Sequence, residues 1–236
     1  MSKVIAITNQ KGGVGKTTTC VNLAASLVAT KRRVLVIDLD PQGNTTMGSG
    51  IDKNTLSHSV LDVLTQKADV NQVIQVSTPA GYDLLPSNGD LTAAEVELIQ
   101  VQKKEARLRL ALTQLQHQYD FVLIDCPPSL SLLTVMALVS SQSLVVPLQT
   151  EFFALEGLTQ LMKTIERIKV SLNPELKIRG ILLTMYDKRN KLSSQVEKEA
   201  RDYFNEKVYS TVIPRNVRLS EAPSHGVPVL IYDKSC

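Results

Sequence analysis

The segment Asn9-Gln10-Lys11-Gly12-Gly13-Val14-Gly15-Lys16-Thr17-Thr18 places three glycines in four residues just ahead of a lysine and two threonines. Glycine enters left-handed backbone without penalty, so such a turn lets successive N–H groups curl around an anion. A helix that starts there adds its partial positive charge. The pattern predicts a phosphate cradle, with Lys16 reaching the β- and γ-phosphates of a nucleotide and the Thr17 hydroxyl ligating Mg²⁺. The standard spacing G-x-x-x-x-G-K-[ST], ending on Gly15-Lys16-Thr17, asks for glycine at position 10; here Gln10 stands there, followed by Lys11. The loop is therefore a variant with a second lysine five residues before the first. A plain strand-to-helix turn is the alternative reading, and the unbroken run from Lys11 to Thr18 opening a helix straight after a strand speaks against it.

Three carboxylates belong with this loop. Asp38 and Asp40 close one apolar run and Asp125 closes another. An acid at the end of a buried strand is costly unless it meets a cation, and a Mg²⁺ held beside the phosphates would supply one. Thr17, Asp38, Asp40 and Asp125 are accordingly the candidate metal-side residues, with a helix-capping acid as the alternative for Asp125. Phosphoryl transfer also needs positive charge delivered to the γ-phosphate as the transition state forms. Lys16 meets that need from inside the loop. Lys11, on the outer lip, can be offered to another subunit, its alternative being an ordinary solvated lysine.

The elements that must position these residues are legible in the apolar runs 3–8, 33–38, 121–126, 143–148, 177–184 and 226–232. They are continuous rather than alternating, which is how strands buried on both faces read. Helix-length stretches at 16–30, 91–117, 152–171 and 192–206 lie between them, with apolar residues three and four apart. Strand, helix, strand in repetition predicts right-handed crossovers and one α/β domain over 1–236, a doubly wound, mostly parallel sheet with helices on both faces. The irregular stretch 39–60 follows a strand ending in two acids, where a loop of an open parallel sheet is expected to be functional. Segment 54–80 reads as a peripheral helix.

Composition narrows the rest. The chain has 236 residues, 43% of them hydrophobic, with 11 glycines and 10 prolines and no long-period repeat, which excludes disorder, collagen, coiled coils and solenoids. Cys20, Cys126 and Cys236 are far apart and form no CxxC pair, so no disulfide framework or zinc site is indicated, and a reducing cytosol is expected. His58, His117 and His225 share no metal-ligand spacing. The chain opens MSKVIAIT, without a leader pattern, and no apolar stretch approaches the length of a membrane span. A net charge of +3 does not by itself predict a nucleic-acid partner.

The variant loop with its second lysine resembles the deviant Walker A motif of the ParA/MinD family of ATPases. Val36-Ile37-Asp38-Leu39-Asp40-Pro41-Gln42-Gly43-Asn44 resembles that family's switch I, and Val122-Leu123-Ile124-Asp125-Cys126-Pro127-Pro128-Ser129 its Walker B and switch II. The likeness continues through 149–158 and 183–187, and the block from Ile213 to Gly226 is similar to the chromosomal ParA (Soj) branch. It implies a three-layer P-loop NTPase fold that takes ATP and Mg²⁺. ATP contacts are expected from Lys11, Gly12, Gly13, Val14, Gly15, Lys16, Thr17 and Thr18, and around adenine from Met185, Pro214, Arg215 and Asn216. Lys11, Lys16 and Asp40 become the catalytic set: Asp40 positions the attacking water, and Lys11 crosses a nucleotide-sandwich homodimer to the partner's ATP. The resemblance further implies slow hydrolysis and non-specific binding of double-stranded DNA by the ATP-bound dimer. Lys188, Arg189, Arg215 and Arg218 are the DNA candidates, a ParB-like protein the activator, and chromosome or plasmid partition at the nucleoid the role. A membrane-cycling ATPase of the MinD kind is the alternative; it needs a basic amphipathic helix, and 226–236 ends without one. The final helix of ParA members is likewise expected to be missing. A third reading, small-molecule chemistry as in nitrogenase iron-protein or synthetase relatives, would need converging cysteines for a cluster, and all three cysteines read as structural.

Overall fold

The computed structural model describes residues 2–76, 78–152 and 154–235. In chain order they form β1 (Lys3–Ile7), α1 (Lys16–Ala29), β2 (Val34–Asp38), α2 (Asn44–Gly48), α3 (Val60–Leu64), α4 (Val70–Val73), β3 (Asp83–Leu85), α5 (Ala94–Glu97) and α6 (Arg107–Thr113). There follow β4 (Phe121–Asp125), α7 (Leu132–Ser140), β5 (Ser143–Gln149), α8 (Ala154–Ser171), β6 (Lys177–Tyr186), α9 (Lys191–Phe204), β7 (Val208–Pro214), α10 (Val217–Glu221) and α11 (Val229–Tyr232). The seven strands pair in the order β3-β2-β4-β1-β5-β6-β7, and every ladder between them is parallel. This is the doubly wound parallel sheet that the alternation of runs predicts, in the P-loop NTPase architecture that the family resemblance implies.

The continuous apolar runs have a simple cause: successive side chains point to opposite faces, and both faces are covered. Ile5, Ile7, Val34, Val36 and Leu123 pack toward α1 through Cys20, Ala24 and Ala25. Val4, Ala6, Leu35, Ile37, Val122 and Ile124 join the larger cluster with Leu133 and Met136 of α7 and Leu158, Leu161 and Ile165 of α8. The stripe Leu158, Leu161, Ile165, Ile168 is buried at three- and four-residue spacing, so truncating fully buried Leu161 to alanine costs about 2–5 kcal/mol.

Register places the chemistry. Lys3 pairs with Phe121 and Ile7 with Asp125, while Asp38 pairs with Asp125 across β2 and β4. The three strands end in step, so both acids lie at the carboxyl edge beside the loop that leaves β1. In open parallel sheets that edge is where ligands sit.

Several expectations need correction. Segment 91–117 is not one helix: it breaks into α5, a turn through Lys103 at φ 53°, and α6. Segment 39–60 contains α2 and is not wholly irregular. Segment 54–80 is not a peripheral helix either; it forms α3 and α4, whose Val60, Leu61, Val63, Leu64, Val70 and Val73 are core residues. The run 226–232 is not a strand. Pro228 precedes the single turn α11, Val229 N–H donates to Asn22 Oδ1 of α1 at 2.8 Å, and Leu230 and Ile231 are exposed. Two strands, β3 and β7, and helix α7 escape a reading of runs. β3 has three residues, while the exposed and half-buried residues of β7 mark it as an edge strand.

Candidate active site

The loop between β1 and α1 is held from several sides. Buried Asn9 donates through Nδ2 to Pro147 O at 2.7 Å and accepts from Lys11 N–H through Oδ1 at 3.1 Å. Thr184 Oγ1 at the end of β6 donates to Val14 O at 2.8 Å. Gly13 and Gly15 take φ of 75° and 88°, where a side chain would be strained, and Gly15 caps α1. A Cβ on Gly12 would come no nearer to other atoms than 3.9 Å, from Pro128, and one on Gly13 would meet nothing within 4 Å. The loop is thus a cradle whose concavity is open space. Lys16 is buried, and its Nζ donates across the loop to Lys11 O at 2.9 Å. Burial pulls the ammonium below its ordinary value, opposed by the nearby charges of Asp125 and Asp40.

The carboxylates are wired to hydroxyls. Thr17 Oγ1 and Thr45 Oγ1 each donate to Asp125 Oδ2 at 2.7 Å. Asp125 Oδ1 is buried and, among the described residues, accepts no hydrogen bond. Asp38 Oδ2 accepts from both N–H and Oγ1 of Thr46 at 2.8 Å, and its Oδ1 accepts from Asp40 N–H at 3.1 Å. Asp40, 7% exposed, accepts from Gln42 N–H at 2.9 Å. Burial pushes Asp38 up to about 7, and the neighbouring Asp125 charge pushes the same way against the Thr46 and Asp40 hydrogen bonds. Burial likewise pushes Asp125 up to about 6, against the Thr45 and Thr17 hydroxyls. Two desolvated acids on paired strands, with one orphaned oxygen and a threonine hydroxyl alongside, form a hard-oxygen set short of positive charge. A divalent cation such as Mg²⁺ fits that set.

Lys11 is solvent-exposed on the outer lip, where its ammonium pairs with Glu151 after β5. The residues expected around adenine converge at the other flank. Met185 is half-buried at φ 51°, Tyr186 pairs with Pro214 across β6 and β7, and Arg215 N–H donates to Tyr186 O at 3.1 Å. Asn216 caps α10 by accepting from Arg218 N–H at 2.8 Å. That pairing of strand ends also gathers the four DNA candidates onto one flank. Lys188 and Arg215 are exposed there, and Arg189 is held by Asp187 at 3.0 and 3.1 Å. Arg218 pairs with Glu221 at 2.9 Å and Asp233 at 3.4 Å.

Sequence reasoning gave no role to Thr45, Thr46, Glu151 or Thr184. The two threonines follow the acid-rich run directly, and a hydroxyl pair one turn beyond two strand-end acids is the signal that could have found them. Their helix, α2, also touches the chain's last segment. A Cβ on Gly48 would sit 3.8 Å from Pro223, and one on Gly226 would sit 2.9 Å from Gly50 Cα. Cys20 and Cys126 are free and buried, their thiols raised by desolvation, as expected of packing cysteines; Cys236 lies outside the described residues. No helix among the described residues is long and apolar enough to cross a membrane.

Comparison with known proteins agrees with this geometry. Residues 2–178 match the family described as AAA domain. The chain is 53% identical over 233 residues to the sporulation initiation inhibitor protein Soj of Bacillus subtilis (strain 168), covering 99% of this chain and 92% of that one. It is 54% identical over 236 residues to the chromosome partitioning protein ParA of Caulobacter vibrioides (strain NA1000 / CB15N), covering 99% and 88%. Among solved structures, the cobyrinic acid a,c-diamide synthase of Mycobacterium smegmatis with bound ADP and magnesium superposes with a TM-score of 0.88 at 39% identity, covering 96% of this chain and 91% of that one. With a deviant phosphate loop, paired strand-end acids and these relatives together, the chain belongs to the ParA/MinD family of P-loop ATPases, in its chromosomal ParA (Soj) branch.

Proposed function

We propose that this partitioning ATPase binds ATP with Mg²⁺, closes into a nucleotide-sandwich dimer, binds duplex DNA without sequence preference in that state, and resets by slow hydrolysis. The observation that carries the proposal is the division of labour between its two loop lysines. Lys16 is buried inside the cradle, donating to a loop carbonyl that a phosphate oxygen can replace, whereas Lys11 is exposed on the lip and paired there with Glu151. An ammonium so placed is available to a second subunit, so dimerisation and charge delivery to the γ-phosphate become one event.

In this reading the backbone from Lys11 to Thr18 receives the phosphates, and Met185 with Pro214, Arg215 and Asn216 frames the base. Thr17, Asp125, Asp38 and Asp40 hold Mg²⁺ directly or through its water. The metal neutralises phosphate charge when bound. Asp40, buried and anchored by Gln42 N–H, orients the attacking water. Arg218, Arg215, Lys188 and Arg189 form half of a DNA stripe that two subunits complete, phosphates replacing Asp187, Glu221 and Asp233 as partners. A ParB-like activator stimulates hydrolysis, residues 1–236 act as one domain, and the protein works in the cytoplasm on the nucleoid.

Molar mass by light scattering tests the dimer. Wild type is expected to dimerise with ATP and Mg²⁺ and to remain monomeric with ADP. Lys11→Ala is expected to bind ATP yet stay monomeric. A Lys11→Ala protein that dimerises like wild type overturns the assignment of that lysine.

A further inference from the structure

Strand β3 has three residues and lies at the edge of the sheet, yet its two flanks reach into the acid-bearing loop. Register explains why. Asp83 pairs with Leu35 and Leu85 with Ile37, so the chain after β3 runs on beside the strand end that carries Asp38 and Asp40. The strand is anchored on both edges. Against β2 it forms the ladder, and on its other edge Leu84 exchanges hydrogen bonds with Gln75 at 2.8 and 2.9 Å. Tyr119 Oη adds a bond to Asp83 Oδ2 at 2.8 Å.

From this anchored strand two hydroxyls hold α2 and Asp40. Ahead of β3, buried Tyr82 places its Oη 2.7 Å from Ser49 Oγ. Ser49 has one hydroxyl proton and donates it to Thr45 O at 2.7 Å, so the phenol is the donor to Ser49. Burial pushes that phenol above its ordinary value, and it keeps its proton. Tyr82 thus holds Ser49, Ser49 holds the backbone of Thr45, and Thr45 Oγ1 holds Asp125. Beyond β3, Ser87 N–H donates to Thr46 Oγ1 at 2.9 Å, and Thr46 passes its own proton to Asp38 Oδ2. Ser87 Oγ donates to Asp40 O at 3.0 Å. Tyr82, Ser87, Thr45, Thr46 and Ser49 are all buried, where no water replaces a lost partner and linked hydrogen bonds strengthen one another.

We propose that Tyr82 and Ser87 are positioning residues for ATP hydrolysis. From the two ends of β3 they set α2 and the backbone of Asp40, and with them the geometry in which the acids meet Mg²⁺ and the attacking water. Each acts through another residue, Tyr82 through Ser49 and Thr45, and Ser87 through Thr46 and Asp40. Among the described residues neither is hydrogen-bonded to the phosphate loop, so turnover depends on them and ATP affinity does not. The inference rests on the roles proposed above for the metal-side acids and Asp40.

The test uses Tyr82→Phe and Ser87→Ala, each of which removes one hydroxyl with little change in volume. Phosphate release, ATP affinity by calorimetry and amide hydrogen exchange of the nucleotide-free protein are measured, with exchange read at Thr46, whose N–H donates to Asp38 Oδ2 at 2.8 Å. A catalytic group misplaced by about 1 Å loses about 100-fold in rate, and a partly loosened loop is expected to lose about 10-fold. Each variant should show that loss with unchanged ATP affinity, and exchange that quickens in α2 and its flanks alone. Wild-type turnover in both variants overturns the brace. So does unchanged exchange at Thr46, or exchange that quickens equally across the sheet, which marks a general loss of stability. Asp40→Ala is measured alongside. If it turns over like wild type, the role proposed for Asp40 falls, and exchange at Thr46 alone decides the brace. A slow Asp40→Ala beside fast Tyr82→Phe and Ser87→Ala leaves the proposed function standing while the brace falls.

Discussion

Asp125→Asn offers a quantitative check on the electrostatics of the site. Asp125 titrates at about 6 in the folded chain, burial being the main cause, whereas an unfolded aspartate titrates near 4. A folded-state value above the unfolded one means that its contribution to stability is fully present below about pH 4 and is lost as pH rises through about 6. At about 1.4 kcal/mol per pH unit, roughly 3 kcal/mol disappears by pH 8 in the absence of metal. Asparagine keeps an oxygen for the Thr17 and Thr45 hydroxyls but puts an NH₂ where Asp125 Oδ1 has no partner among the described residues. That costs about 1–3 kcal/mol at every pH, so it cancels when the two pH profiles are compared. Urea unfolding in EDTA from about pH 4 to pH 8 measures the difference. Wild type is expected to lose about 3 kcal/mol more than Asp125→Asn, and the gap widens because the Asp125 charge also raises Asp38. Adding Mg²⁺ at pH 8 should then stabilise wild type and leave the variant unmoved. Parallel pH profiles would refute the claim that Asp125 is a desolvated charge awaiting a cation.

Lys16→Ala should weaken ATP binding at least about 100-fold by calorimetry, roughly 3 kcal/mol, since a buried charge-assisted contact is lost; affinity near wild type would mean that the cradle is misread. Asp40→Ala should keep ATP-dependent dimers while lowering phosphate release about 100-fold or more, and a monomer that still turns over would remove Asp40 from the water-positioning role. Gly226→Ala, at φ 67° with its Cβ 2.9 Å from Gly50 Cα, should cost about 1–3 kcal/mol. Thermal melting would show the loss, and an unchanged melting temperature would mean that α2 and the last segment are not packed as described.

What could be read from residues alone follows from how local the physics is. Gly13, Gly15 and Lys16 announce a phosphate cradle because backbone freedom and charge are properties of the residues themselves. The central strands were visible because burial on both faces leaves uninterrupted Val/Ile/Leu runs. β3 and β7 were not, since one is three residues long and the other is a partly exposed edge. The run 226–232 deceived for the converse reason: its composition favours a strand, but its Val229 N–H is taken by Asn22 of α1. Segment 91–117 has helical periodicity yet breaks between Glu97 and Arg107, through Lys103 at φ 53°. The hydroxyls of Thr45 and Thr46 and the partner of Lys11, Glu151, are contacts across 80, 8 and 140 residues of chain. The register of β2 against β4 brings Thr45 to Asp125 and the position of β5 beside β1 brings Glu151 to Lys11, while Thr46 meets Asp38 locally because α2 follows β2.

The most direct test of the central claim is the affinity for a long random-sequence duplex with ATP and Mg²⁺, with ADP, and without nucleotide, across a salt titration, in wild type and Arg218→Glu. A nucleotide-gated switch predicts tight binding that appears with ATP, falls steeply with salt and is lost in Arg218→Glu. Equal binding in all three nucleotide states, or none from a protein that still dimerises with ATP, would contradict it.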